Sequence, residues 1–283
     1  MMKTAGVTVL YNPDSNTVEN AASYAGKIGT LFLVDNSDKP DSDVLMRLKA
    51  LPGTVYLSNG GNIGIAKALN LGCIKALEER CEWLLTMDQD SRFEPGALES
   101  LLSYINRNDN SKTGIVSPFH IIENKVYELR RPEGVTELDT VMTSGNLLNL
   151  EAYGIAGPFM DDFFIDYVDI EYCLRLKKAG YQVLQVNDSI LEHHLGNSRN
   201  VGKILVTHHS PVRRYYITRN RFFVIQKYKK YFPEICRMEL RAFYMELLKI
   251  LLFEKHKIVK LKMIWDGYRD FRKQKMGKYL GKI

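Results

Sequence analysis

In "LLTMDQDS" (84–91) an apolar run stops at two aspartates one residue apart, Asp88 and Asp90. Two carboxylates that close repel unless something positive lies between them. Oxygen donors at this spacing suit a hard divalent cation, and such an ion can bridge two phosphates. Upstream, "NGGNIG" (59–64) opens a helix-patterned segment, where backbone N–H groups and the helix dipole favour an anion. It is neither GxGxxG nor GxxxxGK[ST], so the usual dinucleotide and Walker loops are excluded. Further upstream, "LVDNS" (33–37) ends an apolar run at Asp35, whose carboxylate can accept hydrogen bonds from a ribose or a base N–H.

Downstream, "FFIDYVDIEYCLRLKKAGY" (163–181) places Asp166, Asp169 and Glu171 behind an apolar triplet and ahead of a basic helix, and acids favour a helix start. "EHHLGNS" (192–198) offers two imidazoles, His193 and His194, as metal ligands. In "VMTSGNLLNL" (141–150) Ser144 and Gly145 permit close approach and are expected to line the sugar or acceptor side. "SPVRRYYITRNRFF" (210–223) sets Arg213, Arg214 and Arg219 beside Tyr215 and Tyr216, suited to bidentate phosphate contact.

These residues fall at the joints of one alternating pattern. Strands are expected over 6–11, 30–37, 54–58 and 82–87. Helices are expected over 17–28, 41–50, 63–79 and 94–105, the last with Pro95 in its first turn. Alternating β and α units predict a parallel sheet with helices on both faces, and such sheets bind ligands at the carboxyl ends of their strands. Asp35, the Asn59–Gly64 loop and Asp88/Asp90 end the second, third and fourth strands, so one crevice can receive all three.

The 283 residues carry a net charge of +6 that is unevenly spread. Residues 199–283 hold 22 Lys and Arg against 6 Asp and Glu, a balance of +16; residues 1–198 hold 17 against 27, a balance of −10. The basic third suits phosphate or anionic lipid. Nucleic acid fits the charge, but no recognition motif accompanies it. Leu240, Phe243, Leu247, Ile250 and Leu251 keep helical spacing with Arg237, Arg241, Lys249 and Lys255 on other faces. Such a segment can lie on a membrane surface, pack on its own domain or pair with another subunit. No secretory leader and no apolar stretch of about 18 residues is visible. The four scattered cysteines suit reduced thiols, which together imply a cytoplasmic protein.

The order "LVDNSD", "NGGNIGIAKALN", "LLTMDQDS", "TSGNLL", "FIDYVDIEYCLRLKKAGY", "HHLGNS", "SPVRRYYITRN" resembles family 2 inverting glycosyltransferases, above all the bacterial rhamnosyltransferases of cell-surface polysaccharide assembly. The resemblance spans about 5–225. It implies an α/β, GT-A (Rossmann-like) fold with a mostly parallel central sheet. A nucleotide-binding half would lie over about 1–110, an acceptor half over about 111–225, and a basic helical extension over 226–283. It also implies a nucleoside-diphosphate sugar donor, a glycan or lipid-linked acceptor, and Mg²⁺ or Mn²⁺.

By resemblance Asp90 ligates the metal, Asp88 the ribose or the metal, and His193 completes the coordination. Asp35, Asn59, Gly61, Asn62, Gly64, Arg213 and Arg214 then serve the donor, and Ser144, Gly145 and Glu171 the acceptor. The family's acidic motif often reads Glu-Asp-x-Asp. Aligned on Cys173–Leu176 it puts Val168 at the Glu, Asp169 at the Asp and Glu171 at the last acid. Asp169 is therefore the expected base and Asp166 its rival. Transfer of L-rhamnose from a dTDP donor is the leading expectation. A hexose from a UDP donor, or nucleotide-sugar binding without catalysis given Val168, stands as the alternative.

Overall fold

The computed structural model describes residues 2–122, 131–193, 198–201, 204–207 and 209–281; His194 lies outside them. The first half alternates as its pattern predicts: β1 (Thr4–Leu10), α1 (Ser15–Ala22), β2 (Leu31–Asp35), α2 (Ser42–Lys49), β3 (Thr54–Ser58), α3 (Ile65–Glu78), β4 (Trp83–Asp88), β5 (Ser91–Phe93) and α4 (Ala97–Arg107). The second half follows with β6 (Thr113–Ile122), β7 (Val135–Glu137), β8 (Asn146–Asn149), α5 (Leu150–Ala156), α6 (Val168–Lys178) and β9 (Gln182–His193). A hairpin of β10 (Ser198–Val201) and β11 (Ile204–Thr207) leads to three helices, α7 (Pro211–Tyr228), α8 (Pro233–Phe253) and α9 (Lys257–Arg272).

One sheet in the order β3-β2-β1-β4-β8-β6-β9-β5, with β7 also on β9, runs through the molecule. β1, β2, β3, β4, β6 and β9 share one direction; β8 is antiparallel to both β4 and β6, and β5 and β7 are antiparallel to β9. The sheet is thus mostly parallel and continuous across both halves. Its inner strands β1, β2, β4 and β8 are buried on both faces, as a sheet clothed by helices requires. Ala5, Val7, Phe32 and Val34 pack with Ala66, Leu69 and Cys73 of α3 and with α6. Leu31, Leu33, Leu85 and Met87 pack with Val18, Ala21, Leu45 and Leu98 of α1, α2 and α4.

Two helix limits differ from the sequence pattern. α1 ends at Ala22 rather than 28, and Gly26, at φ 77°, turns the chain toward β2. α4 begins only at Ala97, because Gly96 stands at φ 82°, a left-handed conformation that separates Pro95 from the helix. β5 and β7, three residues each, carry too little pattern to register.

The C-terminal helices pack back on the domain. The division expected at 225 falls inside α7. A Cβ on Gly267 of α9 would come within 2.5 Å of the Tyr215 carbonyl oxygen, so glycine lets α9 and α7 touch backbone to backbone. The Tyr215 hydroxyl donates to Asp270 Oδ2 at 2.8 Å. Between α7, α8 and α9 lie buried ion pairs: Arg214 with Glu246 and Glu254, Arg221 with Glu246, and Lys260 with Glu254. No described helix is long and apolar enough to cross a membrane.

Candidate active site

Strand register brings the sequence's acids into line. Across the sheet Val9 pairs with Asp88, Leu10 with Asp35, and Asp35 with Ser58, so β1, β2, β3 and β4 end together. Beyond those ends lies a cleft of about 410 Å³ whose lining includes Asn36, Asn62, Gly64, Asp88, Asp90 and Arg213. A second hollow of about 390 Å³ shares Gln89 and Asp90 with it.

The residue between the two acids explains their posture. Gln89 accepts from the Tyr11 N–H at 2.7 Å and donates to the Tyr11 carbonyl at 3.1 Å, while Asn20 donates to the Gln89 carbonyl. With Gln89 tied to the end of β1, Asp88 and Asp90 are both left to face the cleft. Burial first, then the charges of Asp90 and Asp169, push the Asp88 carboxyl up to about 7; Arg213 opposes them. Carboxylates crowded until one resists ionisation suit a divalent cation and its oxygen ligands. His193 ends β9 with its backbone opposite Ser91, next to Asp90 in the chain.

The glycine-rich loop sits where expected, but the two N–H groups at its helix end are already engaged. Gly64 N donates to Asn62 Oδ1 at 2.9 Å, and Ile65 N donates to the Phe164 carbonyl at 2.6 Å. Asn59 donates to Asn36, and Asn36 donates to the Gly64 carbonyl. Gly64, at φ 90°, is pressed so closely that a Cβ would lie 2.8 Å from Phe164. Gly61, at φ 146°, lies beside Asp38. The loop therefore forms a rigid wall, and these two N–H groups are not the anion bed that the sequence suggested. Asp35 is equally engaged: it is 1% exposed, and it accepts from Ser37 N at 2.8 Å and the Tyr56 hydroxyl at 2.7 Å.

The three downstream acids separate into three environments. Asp166 stands at φ 63° and its carboxylate takes the Arg213 guanidinium, with Nη2 at 3.0 Å. Burial raises the Asp166 carboxyl, against the pull of Arg213. Asp169, in the first turn of α6, accepts from the Ile170 N–H at 2.8 Å. Burial foremost, with the negative charge of Asp166 adding, pushes it up to about 6, against that N–H bond. Glu171 lies on another side of α6, 1% exposed, bonded to Arg175, Lys227 and the Tyr228 hydroxyl. It is a packing acid that joins α6 to α7, not an acceptor contact.

Other expectations are corrected in the same way. Arg214 is 4% exposed and held by Glu246 and Glu254, so the cleft receives Arg213 alone of the pair. Ser144 is buried; its hydroxyl accepts from Asp88 N at 3.1 Å, and its carbonyl meets His120 Nε2 at 2.7 Å. Ser144 thus supports the Asp88 turn from behind rather than lining an acceptor surface. Gly145, at φ 83°, is needed because a Cβ would lie 2.6 Å from Pro118. Arg219, expected on phosphate, is fully buried and donates to the carbonyls of Asp162, Phe163 and Gly277.

Beside Arg219, Asn220 holds what composition could not reveal. Phe164, Asp166 and Tyr167 all have φ above 60°, an unfavourable run for residues with side chains. Asn220 Nδ2 reaches the carbonyls of Phe163, Ile165 and Asp166 at 2.9–3.0 Å. Arg221 donates to the Tyr167 hydroxyl at 2.6 Å. Consecutive residues of α7 therefore fix the strained segment that carries Asp166 and leads into Asp169. The only sequence signal was the string "TRNR" itself.

Comparison with known proteins agrees with this architecture. The family model described as "Glycosyl transferase family 2" matches residues 16–161. The dTDP-rhamnosyl transferase RfbF of Shigella flexneri is 32% identical over 238 residues, covering 78% of this chain and 79% of that protein. Among solved structures, GalNAc-T7 with UDP, GalNAc and Mn²⁺ superposes with a TM-score of 0.62 at 13% identity, over 97% of this chain and 56% of that one. TarS of S. aureus gives 0.56 at 12% identity, over 95% and 44%. The chain thus spans about half the length of these two structural neighbours, which share its fold.

Proposed function

This chain belongs to glycosyl transferase family 2, and from that membership we propose that it moves L-rhamnose from a dTDP donor to a growing cell-surface glycan or lipid-linked acceptor, with inversion. The similarity to the Shigella rhamnosyl transferase supports the sugar and the nucleotide. The observation that supports the chemistry most is the meeting of Asp88 and Asp90 at the strand ends, with Asp169 near enough to raise the Asp88 carboxyl.

The cleft beside Asn36, Asn62 and Gly64 receives the nucleoside diphosphate, and Arg213 faces its negative charge. Asp90, with Asp88 beside it and His193 as the third candidate, would hold Mg²⁺ or Mn²⁺. When bound, the ion stabilises charge on the departing diphosphate without proton transfer. Asp169 takes the proton from the attacking acceptor hydroxyl. The new bond from acceptor oxygen to anomeric carbon forms on the face opposite the breaking sugar–phosphate bond. Its raised carboxyl makes Asp169 a stronger base than a solvated aspartate. Asp166, neutralised by Arg213, orients the segment. Residues 1–225 carry this chemistry, and α8 and α9 brace α7. The protein works on the cytoplasmic side, with α8 and α9 against an anionic membrane surface.

A panel of dTDP-rhamnose and UDP-hexoses, with Mg²⁺ or Mn²⁺, tests the assignment by donor hydrolysis and melting temperature. Preferential turnover of dTDP-rhamnose is expected. Turnover of a UDP-hexose instead would transfer the assignment to that donor. Binding without turnover would make the chain a nucleotide-sugar-binding protein.

A further inference from the structure

The chain beyond α9 returns to the cleft. It reverses at Gln274, φ 55°, and again at Gly277, φ 84°. Gly277 is bonded on both sides: its N–H donates to the Asp162 carbonyl at 2.8 Å, and its carbonyl accepts from Arg219 Nη1 at 2.6 Å. Tyr279 N donates to the Tyr216 hydroxyl at 2.7 Å, and the Tyr279 ring packs on Tyr215 with centroids 4.5 Å apart. The residue between these two anchors is Lys278. Its ammonium lies 3.4 Å from the Asn62 carbonyl oxygen and 5.8 Å from the centroid of the Phe164 ring. Asn62 and Phe164 both line the cleft that holds Asp88, Asp90 and Arg213.

An exposed lysine is ordinarily a solvated charge. Two features distinguish this one. Its backbone is fixed on one side by Gly277, bonded to Asp162 of the segment that also carries Asp166 and to Arg219, and on the other by Tyr279, bonded to Tyr216 of α7. Its ammonium rests on a carbonyl and a ring face, with no carboxylate partner among the described residues. The other cation of the cleft, Arg213, is already matched by Asp166. A diphosphate entering beside two aspartates brings further negative charge, and the glycine-loop side offers neither Gly64 N nor Ile65 N to meet it.

We propose that Lys278 is a donor-binding residue whose ammonium leaves the Asn62 carbonyl to contact a phosphate of the nucleoside diphosphate, so that the C-terminal segment forms part of the donor site. The proposal rests on the cleft being the donor site. An exchange of a carbonyl for a phosphate oxygen replaces a neutral acceptor by a charged one, which strengthens the bond.

Calorimetric titration of dTDP and UDP, each with Mn²⁺, into wild type, Lys278→Ala, Lys278→Arg and Lys275→Ala tests it. Lys275 lies on the same segment and controls for loss of one positive charge. Because Lys278 is exposed, Lys278→Ala should melt with the wild type. Its nucleotide affinity should fall by roughly tenfold, the scale of one charge-assisted contact. Lys278→Arg should recover most of that loss, and Lys275→Ala should bind normally. Equal affinity for wild type and Lys278→Ala, or an equal loss in Lys275→Ala, overturns the assignment of Lys278. A wild type that binds neither nucleotide overturns the donor-site reading beneath it.

Discussion

Two nitrogens of the Arg213 guanidinium grip one carboxylate oxygen of Asp166: Oδ1 lies 3.0 Å from Nη2 and 3.1 Å from Nε. Three residues on, Asp169 accepts from the Ile170 N–H at 2.8 Å, and its charge helps to raise the Asp88 carboxyl. The pairing divides labour between two acids that sequence left as rivals. Burial raises both carboxyls, but the Asp166 carboxylate is occupied by the Arg213 guanidinium, which opposes its protonation, whereas the charge of Asp166 adds to the rise at Asp169.

Asp169→Asn should therefore keep donor affinity within about twofold and lower single-turnover transfer by ~10²–10⁴, the range for loss of a general base. Asp166→Asn should lower transfer less and melting temperature more, since it leaves Arg213 without its partner and loosens a segment of positive φ. A reversed ranking in transfer rate would assign the base to Asp166.

The same environment fixes a pH dependence. The base must be deprotonated, and Asp169 is raised to about 6 in the free chain. kcat/KM, which reports the free enzyme, should rise with pH through about 6 and level off above 7. The sign for stability is opposite. A carboxyl raised above its unfolded value holds its proton more tightly when folded, so its contribution falls as pH rises from about 4 through 6. Asp169→Asn should flatten that part of the melting-temperature profile. A wild-type rate that is constant from pH 5 to 7 would count against Asp169.

Metal and nucleotide should tighten each other's binding. An ion shared between Asp90 and a diphosphate couples the two ligands reciprocally. Calorimetry of a nucleoside diphosphate with and without Mn²⁺ should show stronger binding with the ion, by roughly tenfold, the middle of the usual coupling range. Asp90→Ala should abolish the difference while leaving metal-free affinity near its original value. Equal affinities with and without Mn²⁺ in the wild type would remove the metal role from this pair.

What the sequence disclosed and what it hid have a common physical basis. Asp35, the Asn59–Gly64 loop and Asp88/Asp90 were legible because each ends an apolar strand in an alternating β/α pattern, and parallel register then aligns strand ends. Glu171 and Arg214 were misassigned because they lie two residues from Asp169 and one from Arg213 on a helix, where that offset turns a side chain to another face. Their partners, Lys227 for Glu171 and Glu246 and Glu254 for Arg214, come from distant helices that local spacing cannot match to them. The support given by Ser144 and Asn220 was hidden for a related reason. Both act on backbone groups, and nothing in a residue's type announces which carbonyl or N–H it will hold.

The C-terminal helices lead to the last prediction. On α8 and α9 the apolar side chains Tyr244, Leu248, Leu251, Leu252 and Phe253 are exposed, and Ile258 is 84% exposed, close in sequence to Lys249, Lys255 and Lys257. Exposed apolar groups bordered by lysines suit a lipid surface, where the apolar groups enter the interface and the ammonium groups meet anionic headgroups. Each basic residue near such a surface contributes about 1 kcal/mol, an effect that salt screens. Sedimentation with anionic vesicles should therefore carry the protein down at low salt, less at high salt, and little with neutral vesicles. Leu252→Glu with Ile258→Glu should reduce binding at both salt concentrations, whereas Lys255→Glu with Lys257→Glu should reduce it chiefly at low salt. Because all four side chains lie at or beyond the α8 C-terminal turn and away from the cleft residues, donor hydrolysis in the absence of vesicles should be unchanged. Binding indifferent to lipid charge and to salt would exclude an electrostatic attachment. Concentration-dependent dimerisation that the Leu252→Glu, Ile258→Glu variant abolishes would assign the same apolar surface to a second copy of the chain.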